Sequence, residues 1–146
     1  MEAVILIGVQ GAGKSSFYRE RFAETHAHIS LDTLRARPRE AALMAECVAR
    51  GKPFVVDNTN VLRSERARYI ELAKRAGYHV AGYYFATNLR AAIARNKKRG
   101  AQAVPIPGLI ATFKRMEPPT LEEGFDSLRL VEASPENEFI VKPLET

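Results

Sequence analysis

Short apolar runs alternate along the chain with longer segments whose apolar residues recur at helical spacing. Residues 3–8 form the first run. Apolar residues without alternation read as a strand buried on both faces. Residues 13 to about 24 read as a helix, and 28–31 as a short strand. From about 38 to 50, Ala41, Ala42, Ala45, Val48 and Ala49 fall on or near one helical face, with Gly51 as the stop. Residues 54–56 are a strand that ends in Asp57. An amphipathic helix follows from about 62 to 76, carrying Tyr69, Ile70, Leu72, Ala73 and Ala76 on its apolar side, and Gly77 closes it. Residues 79–85 are a fourth strand. Asn88 is placed to cap a helix that runs to about 99 and stops at Gly100. Pro105-Ile106-Pro107 is a rigid connector, residues 108–116 are helical, and Pro118-Pro119 ends that helix. Residues 127–131 are a fifth strand, and 138–141 a short extra one.

Strands alternating with crossover helices predict an α/β three-layer sandwich around a mainly parallel sheet of about five strands. Its 146 residues suit one domain spanning 1–146. In such sheets ligands bind at the carboxyl ends of the strands. Gly8, Asp32, Asp57 and Thr87 all lie at or just past such ends, so they are expected to share one rim.

Composition narrows the function classes. The chain is 46% hydrophobic and 27% charged, as in soluble globular proteins. No run approaches the roughly 20 apolar residues of a membrane span, and the start carries no signal-peptide pattern, so a cytoplasmic location is expected. Cys47 is the single cysteine, which excludes an internal disulfide and multi-cysteine metal sites. His26, His28 and His79 have no metal-ligand spacing and read as ordinary structural residues. The net charge of +5 suits a phosphate-rich partner. Basic residues gather in two groups, Arg35, Arg37 and Arg39, then Arg95, Lys97, Lys98 and Arg99.

The stretch GVQGAGKSS, residues 8–16, matches G-x-x-x-x-G-K-[ST] at every fixed position. Its context is the required one, an apolar strand before it and a helix after it. The glycines let successive N–H groups point inward at phosphate oxygens, and the helix start adds its positive dipole end. Gly8, Gln10, Gly11, Ala12, Gly13, Lys14, Ser15 and Ser16 are therefore the candidate nucleotide-binding residues. Lys14 is expected to bridge β- and γ-phosphates, and Ser15 to place a hydroxyl on Mg²⁺. The fold this loop implies is the P-loop NTPase fold. Asp57, an acid at the end of an apolar strand, fits the second metal-side position; Asn60 fits the cap of the next helix. Asp32 and Arg35 lie on one side if a helical turn begins at Asp32. A carboxylate there can accept a proton from an attacking hydroxyl, and an arginine beside it can hold an acceptor phosphate through two parallel hydrogen bonds.

GVQGAGKSSF, LDTLR, VVDNTN followed by RSERARYIELAKRAGY, the second basic cluster and PPTLEEGFDSL occur in an order that resembles the kinase module of polynucleotide kinases. The likeness runs from about residue 4 to 131. It implies transfer of the γ-phosphate of ATP to the 5′-hydroxyl end of DNA or RNA, with Mg²⁺. It implies Asp32 as general base, Arg35 on the acceptor's phosphate, Lys14 and Ser15 on phosphates and metal, and Asp57 near metal or acceptor. It also implies that residues 95–99 form a lid bringing a basic group to the transferring phosphoryl, with Arg95 and Arg99 favoured because a guanidinium forks across phosphate oxygens. Two other readings stand beside it: a kinase of a small molecule such as a nucleoside, sugar, antibiotic or metabolite, and an ATP-binding module without transfer chemistry. A GTPase reading fails because Asn96-Lys97-Lys98 is followed by Arg99 and not by aspartate.

Overall fold

The computed structural model describes residues 1–134, 136 and 138–144. Six strands make one sheet in the order β2-β3-β1-β4-β5-β6. They are β1 (Glu2–Ile7), β2 (Ala27–Ile29), β3 (Phe54–Asp57), β4 (His79–Phe85), β5 (Ser127–Ala133) and β6 (Phe139–Pro143). The first five run parallel, and β6 returns antiparallel along β5. The α/β three-layer P-loop fold is thus as expected. The extra segment near residue 140 is a full sixth strand, one that pairs from Phe139 to Pro143.

Period-two alternation divides the strand residues between two cores. Val4, Leu6, Val55, Ala81 and Phe85 face α1 (Lys14–Arg21), α5 (Leu89–Lys98) and α6 (Ile106–Arg115), where they meet Phe17, Ala92 and Leu109. Ala3, Ile5, Ile7, Val56 and Val80 face α3 (Arg37–Arg50) and α4 (Arg63–Arg75), where they meet Met44, Cys47, Tyr69, Ile70 and Ala73. Both faces of β1 are therefore dry, which is why its sequence is uniformly apolar. Cys47 is buried, as its apolar surroundings require. Phe125 belongs to the α3–α4 core.

Local departures from the expected elements have physical causes. Helix α6 begins at Ile106, with Pro107 inside its first turn. Proline is tolerated there because first-turn N–H groups have no helical partner. Asn60 is not the cap of α4. Leu62 holds that position, and its N–H donates to the Glu65 carboxylate at 3.1 Å. Asn60 is instead buried in the left-handed region at φ 49°, a conformation asparagine reaches more readily than most residues. A one-turn helix, α2 (Leu31–Leu34), follows β2, and Arg35 ends it at φ 66°.

Candidate active site

The phosphate loop leaves β1 at Ile7 and enters α1 at Lys14. Gly11 and Gly13 have φ of 77° and 101°, which L side chains rarely adopt. Lys14 folds back over the loop, and its Nζ donates to the carbonyls of Gly8 and Val9, both at 2.9 Å. Burial pulls its pKa down to about 8; Asp57 and Asp32 oppose that shift, while the charge of Arg99 adds to it. A buried ammonium made uncomfortable by a neighbouring guanidinium is a site suited to an anion.

Behind the loop, each residue of the segment 57–60 has its own partner. Asp57 accepts from Ser15 Oγ at 2.8 Å and from His28 Nε2 at 2.7 Å, both on Oδ2. Burial alone would raise the Asp57 carboxyl. The His28 hydrogen bond, the Lys14 charge and the Ser15 hydroxyl outweigh it and hold the pKa below the ordinary value. Asn58 accepts from the N–H of Leu31 at 2.9 Å and donates to Glu40 at 3.1 Å and to the Tyr69 hydroxyl at 3.2 Å. The carbonyl of Thr59 accepts from the N–H of Gly8 at 3.0 Å. Asn60 Nδ2 donates to the carbonyl of Leu6 at 2.9 Å.

Arg66 locks this segment from below. It is fully buried, donates to the carbonyls of Asn60 (2.9 Å) and Val61 (3.2 Å), and makes a two-pronged pair with Glu123 at 2.7 and 3.0 Å. Glu123 in turn accepts from the N–H of Thr120 at 2.9 Å. The stretches RSERARYI and PTLEEGF, far apart in sequence, are two halves of one clamp on the loop.

The second basic cluster divides. Lys97 and Lys98 are exposed at the end of α5. Arg95 and Arg99 border the loop: a Cβ on Gly11 would lie 3.7 Å from Arg95 Cβ and 3.5 Å from Arg99 Cδ. Arg95 donates to the carbonyl of Ser134, past the end of β5. Arg99 Nη1 is buried without a hydrogen-bond partner among the described residues. An orphaned guanidinium N–H beside the loop fits a phosphate oxygen.

Asp32, Thr33, Arg35 and Arg39 are all exposed, the first two on α2, Arg35 just past it and Arg39 in the first turn of α3. Arg35 does not continue the helical turn that carries Asp32; it sits just outside it, at the left-handed C-terminus. Arg37 is partly engaged, donating to Glu40 at 3.1 Å and to the Tyr69 hydroxyl at 2.9 Å. Glu40 is 4% exposed and also accepts from Tyr69 at 3.0 and 3.1 Å. This network ties α3, α4 and the Asn58 turn to the start of α2. Gln10 reaches from the loop to Thr112 of α6 at 3.3 Å. Ala12 is buried, and Ser16 accepts from Arg19 at 3.1 Å.

The sequence assigns no role to His28, Glu40, Arg66 or Glu123, although Arg66 and Glu123 fall within the stretches that carry the resemblance. For His28 a signal exists. Parallel register pairs it with Val55, so period-two alternation puts it on the sheet face of Asp57. Nothing local announces the Arg66–Glu123 pair.

The residues fit a magnesium nucleotide. The loop offers N–H groups and the buried ammonium of Lys14, the end of α5 adds the buried Nη1 of Arg99, and Ser15 and Asp57 together supply hard oxygen donors. No cluster of three or more His, Cys, Asp or Glu able to hold a metal occurs among the described residues. Among the described residues no helix is long and apolar enough to cross a membrane.

Comparison with known proteins agrees with this geometry. The chain belongs to the AAA domain family, whose match covers residues 38–118, more than half of the chain. That match starts beyond the phosphate loop, so the loop is an independent observation. A provisionally assigned bifunctional polynucleotide phosphatase/kinase of Acanthamoeba polyphaga mimivirus is 30% identical over 138 residues, which cover 89% of this chain and 33% of the relative. The chain thus spans about a third of that relative's length. A gluconokinase of Sinorhizobium meliloti 1021 superposes with a TM-score of 0.68 at 22% identity, covering 92% of this chain and 84% of the other. Kti12 of Chaetomium thermophilum, in complex with ADP-AlF3, gives 0.69 at 17% identity, covering 92% of both chains. The fold is the one these solved structures share.

Proposed function

We propose that the protein is an ATP-dependent kinase that transfers the γ-phosphate of ATP to the 5′-hydroxyl end of DNA or RNA, with residues 1–146 acting as one catalytic domain. The observation that carries this reading is an exposed acid, Asp32, on the one-turn helix that follows β2, with the exposed Arg35 just past that turn and the exposed Arg39 in the first turn of α3. An open, basic rim suits an acceptor that stays mostly outside the cleft and carries its own phosphates. The mimivirus relative's name includes the same activity.

Asp32 takes the proton of the attacking hydroxyl as its oxygen bonds to the γ-phosphorus. The bond from that phosphorus to the β,γ-bridging oxygen breaks, and ADP leaves. Lys14 and Arg99 neutralise charge on the phosphoryl oxygens, Arg99 through the N–H that has no partner among the described residues. Arg95, tied to Ser134, holds the α5 end against the loop. Ser15 and Asp57 would hold Mg²⁺, which would supply further charge neutralisation when bound. Arg35 grips a phosphate of the acceptor strand.

The test uses γ-labelled ATP, Mg²⁺ and matched oligonucleotides with 5′-hydroxyl or 5′-phosphate ends. The expected result is label on the 5′-hydroxyl strand alone, with transfer weakening as salt rises because phosphate contacts release counterions. ATP binding without label on any strand contradicts the nucleic-acid acceptor and moves the search to small hydroxyl compounds.

A further inference from the structure

His28 lies in β2, outside every motif of the chain, and the proposed reaction gives it no task. Its position is nonetheless specific. The imidazole Nε2 meets Asp57 Oδ2 at 2.7 Å, the same oxygen that Ser15 Oγ meets at 2.8 Å. An ionised carboxylate only accepts, so both groups donate to it. The ring is also held from the side. It stacks on Tyr18 with centroids 4.1 Å apart and planes at 19°, and the Tyr18 hydroxyl is fixed in turn by a 2.6 Å bond to the carbonyl of His26. Asp57 has a side chain only 3% exposed, while that of His28 is 28% exposed. The histidine thus closes the solvent side of a carboxylate that is otherwise enclosed.

The consequence falls on Ser15. A hydroxyl has one proton and two lone pairs. While its proton is committed to Asp57, Ser15 turns its lone pairs elsewhere, and it sits next to Lys14 in the first turn of α1. We propose that His28 is a positioning residue for the cation end of the phosphate loop: it holds Asp57 where that carboxylate takes the Ser15 proton, and so presents the Ser15 lone pairs to a divalent cation. The inference rests on the ATP–Mg²⁺ reading of the loop, and adds a residue that touches neither nucleotide nor acceptor. Partners of metal-side ligands commonly set metal affinity this way, at about 10- to 100-fold each.

The experiment measures Mn²⁺ binding by electron paramagnetic resonance in the presence of a non-hydrolysable ATP analogue, and analogue binding in EDTA by calorimetry. Three proteins are compared: wild type, His28→Phe, which keeps a ring against Tyr18 but has no donor, and His28→Gln, which restores an N–H at similar reach. Should His28→Phe fail to fold, His28→Asn, too short to reach Asp57, takes its place. The expected result is Mn²⁺ affinity lowered on the order of 10-fold in the donor-less variant, largely recovered in His28→Gln, with metal-free analogue binding unchanged throughout. Equal Mn²⁺ affinity in wild type and the donor-less variant overturns the proposal. So does a parallel loss of metal-free binding, or a glutamine variant as weak as the donor-less one, since either marks a general structural role. If the wild type itself binds no Mn²⁺–nucleotide, the ATP reading falls and this inference with it.

Discussion

Beneath the phosphate loop, all four residues from Asp57 to Asn60 are tied to partners on other elements, and the buried Arg66–Glu123 clamp closes the segment from below. Asp32 and Arg35, by contrast, stand on and just past a single helical turn that has no buried residue, with Arg39 exposed in the first turn of α3. That turn is anchored at its start by the bond from Leu31 N–H to Asn58. The contrast matches two tasks. A triphosphate is always the same shape, and donors fixed in advance need no reorganisation when charge develops on it. An acceptor that arrives from solvent needs a rim it can reach. The better-held side is therefore the side whose ligand the sequence names, and the looser side is the one whose ligand has to be tested.

The contrast can be broken at several points. The largest effect is expected from Arg66→Ala, which leaves Glu123 buried and unpaired. Loss of one partner of a buried pair costs about 3–5 kcal/mol, a large part of a domain's stability. Urea unfolding should show it as a fall in midpoint, and an unchanged midpoint would mean the clamp is not what holds the floor. Lys14→Ala should lower phosphoryl transfer by roughly 10²- to 10³-fold, with weaker ATP binding by calorimetry. Arg99→Ala should cost on the order of 10²-fold in transfer, and Arg95→Ala less, because the Arg95 guanidinium already serves Ser134. Reversal of that order would exchange the roles of the two arginines.

The smallest effect is expected far from the cleft, at Asp126. Its pKa is lowered by hydrogen bonds from Lys74 and from the Val80 N–H. A carboxylate with a depressed folded-state pKa adds stability at pH above its ordinary value of 3.8, and that stability disappears as pH falls through the folded value. Asp126→Asn should thus lower stability slightly at neutral pH and flatten the acid limb of a stability–pH curve. Equal acid limbs would show that the Lys74 pair is electrostatically silent.

How much of this can be read from the chain follows from distance along it. The phosphate loop is legible because its parts are contiguous, between an apolar strand and a helix. Asp57 is legible because a strand buried on both faces rarely ends in an acid unless that acid faces a polar site. The fold follows from the strand–helix alternation, and β4 from 79 to 85 reads with its observed limits. Asn60 reads wrongly as a cap because a polar residue before a helix looks the same whether it faces solvent or, as here, supports β1 from inside. Arg66 and Glu123 lie in segments that flank two other elements, and a charged residue in a helix ordinarily reads as solvated. His28 becomes visible only when strand register sets it beside Asp57. The sixth strand reads short because its alternation is weak and its partner, β5, is set by topology.

The most direct test of the account uses Asp32→Asn, the one change that separates the two sides. The same preparation is assayed for ATP affinity by calorimetry and for transfer of labelled γ-phosphate to a 5′-hydroxyl oligonucleotide. The expected result is ATP affinity like that of the wild type with transfer reduced by roughly 10²- to 10⁴-fold, the range for loss of a general base. Wild-type transfer from that variant would contradict it, and would remove Asp32 from the chemistry of the cleft.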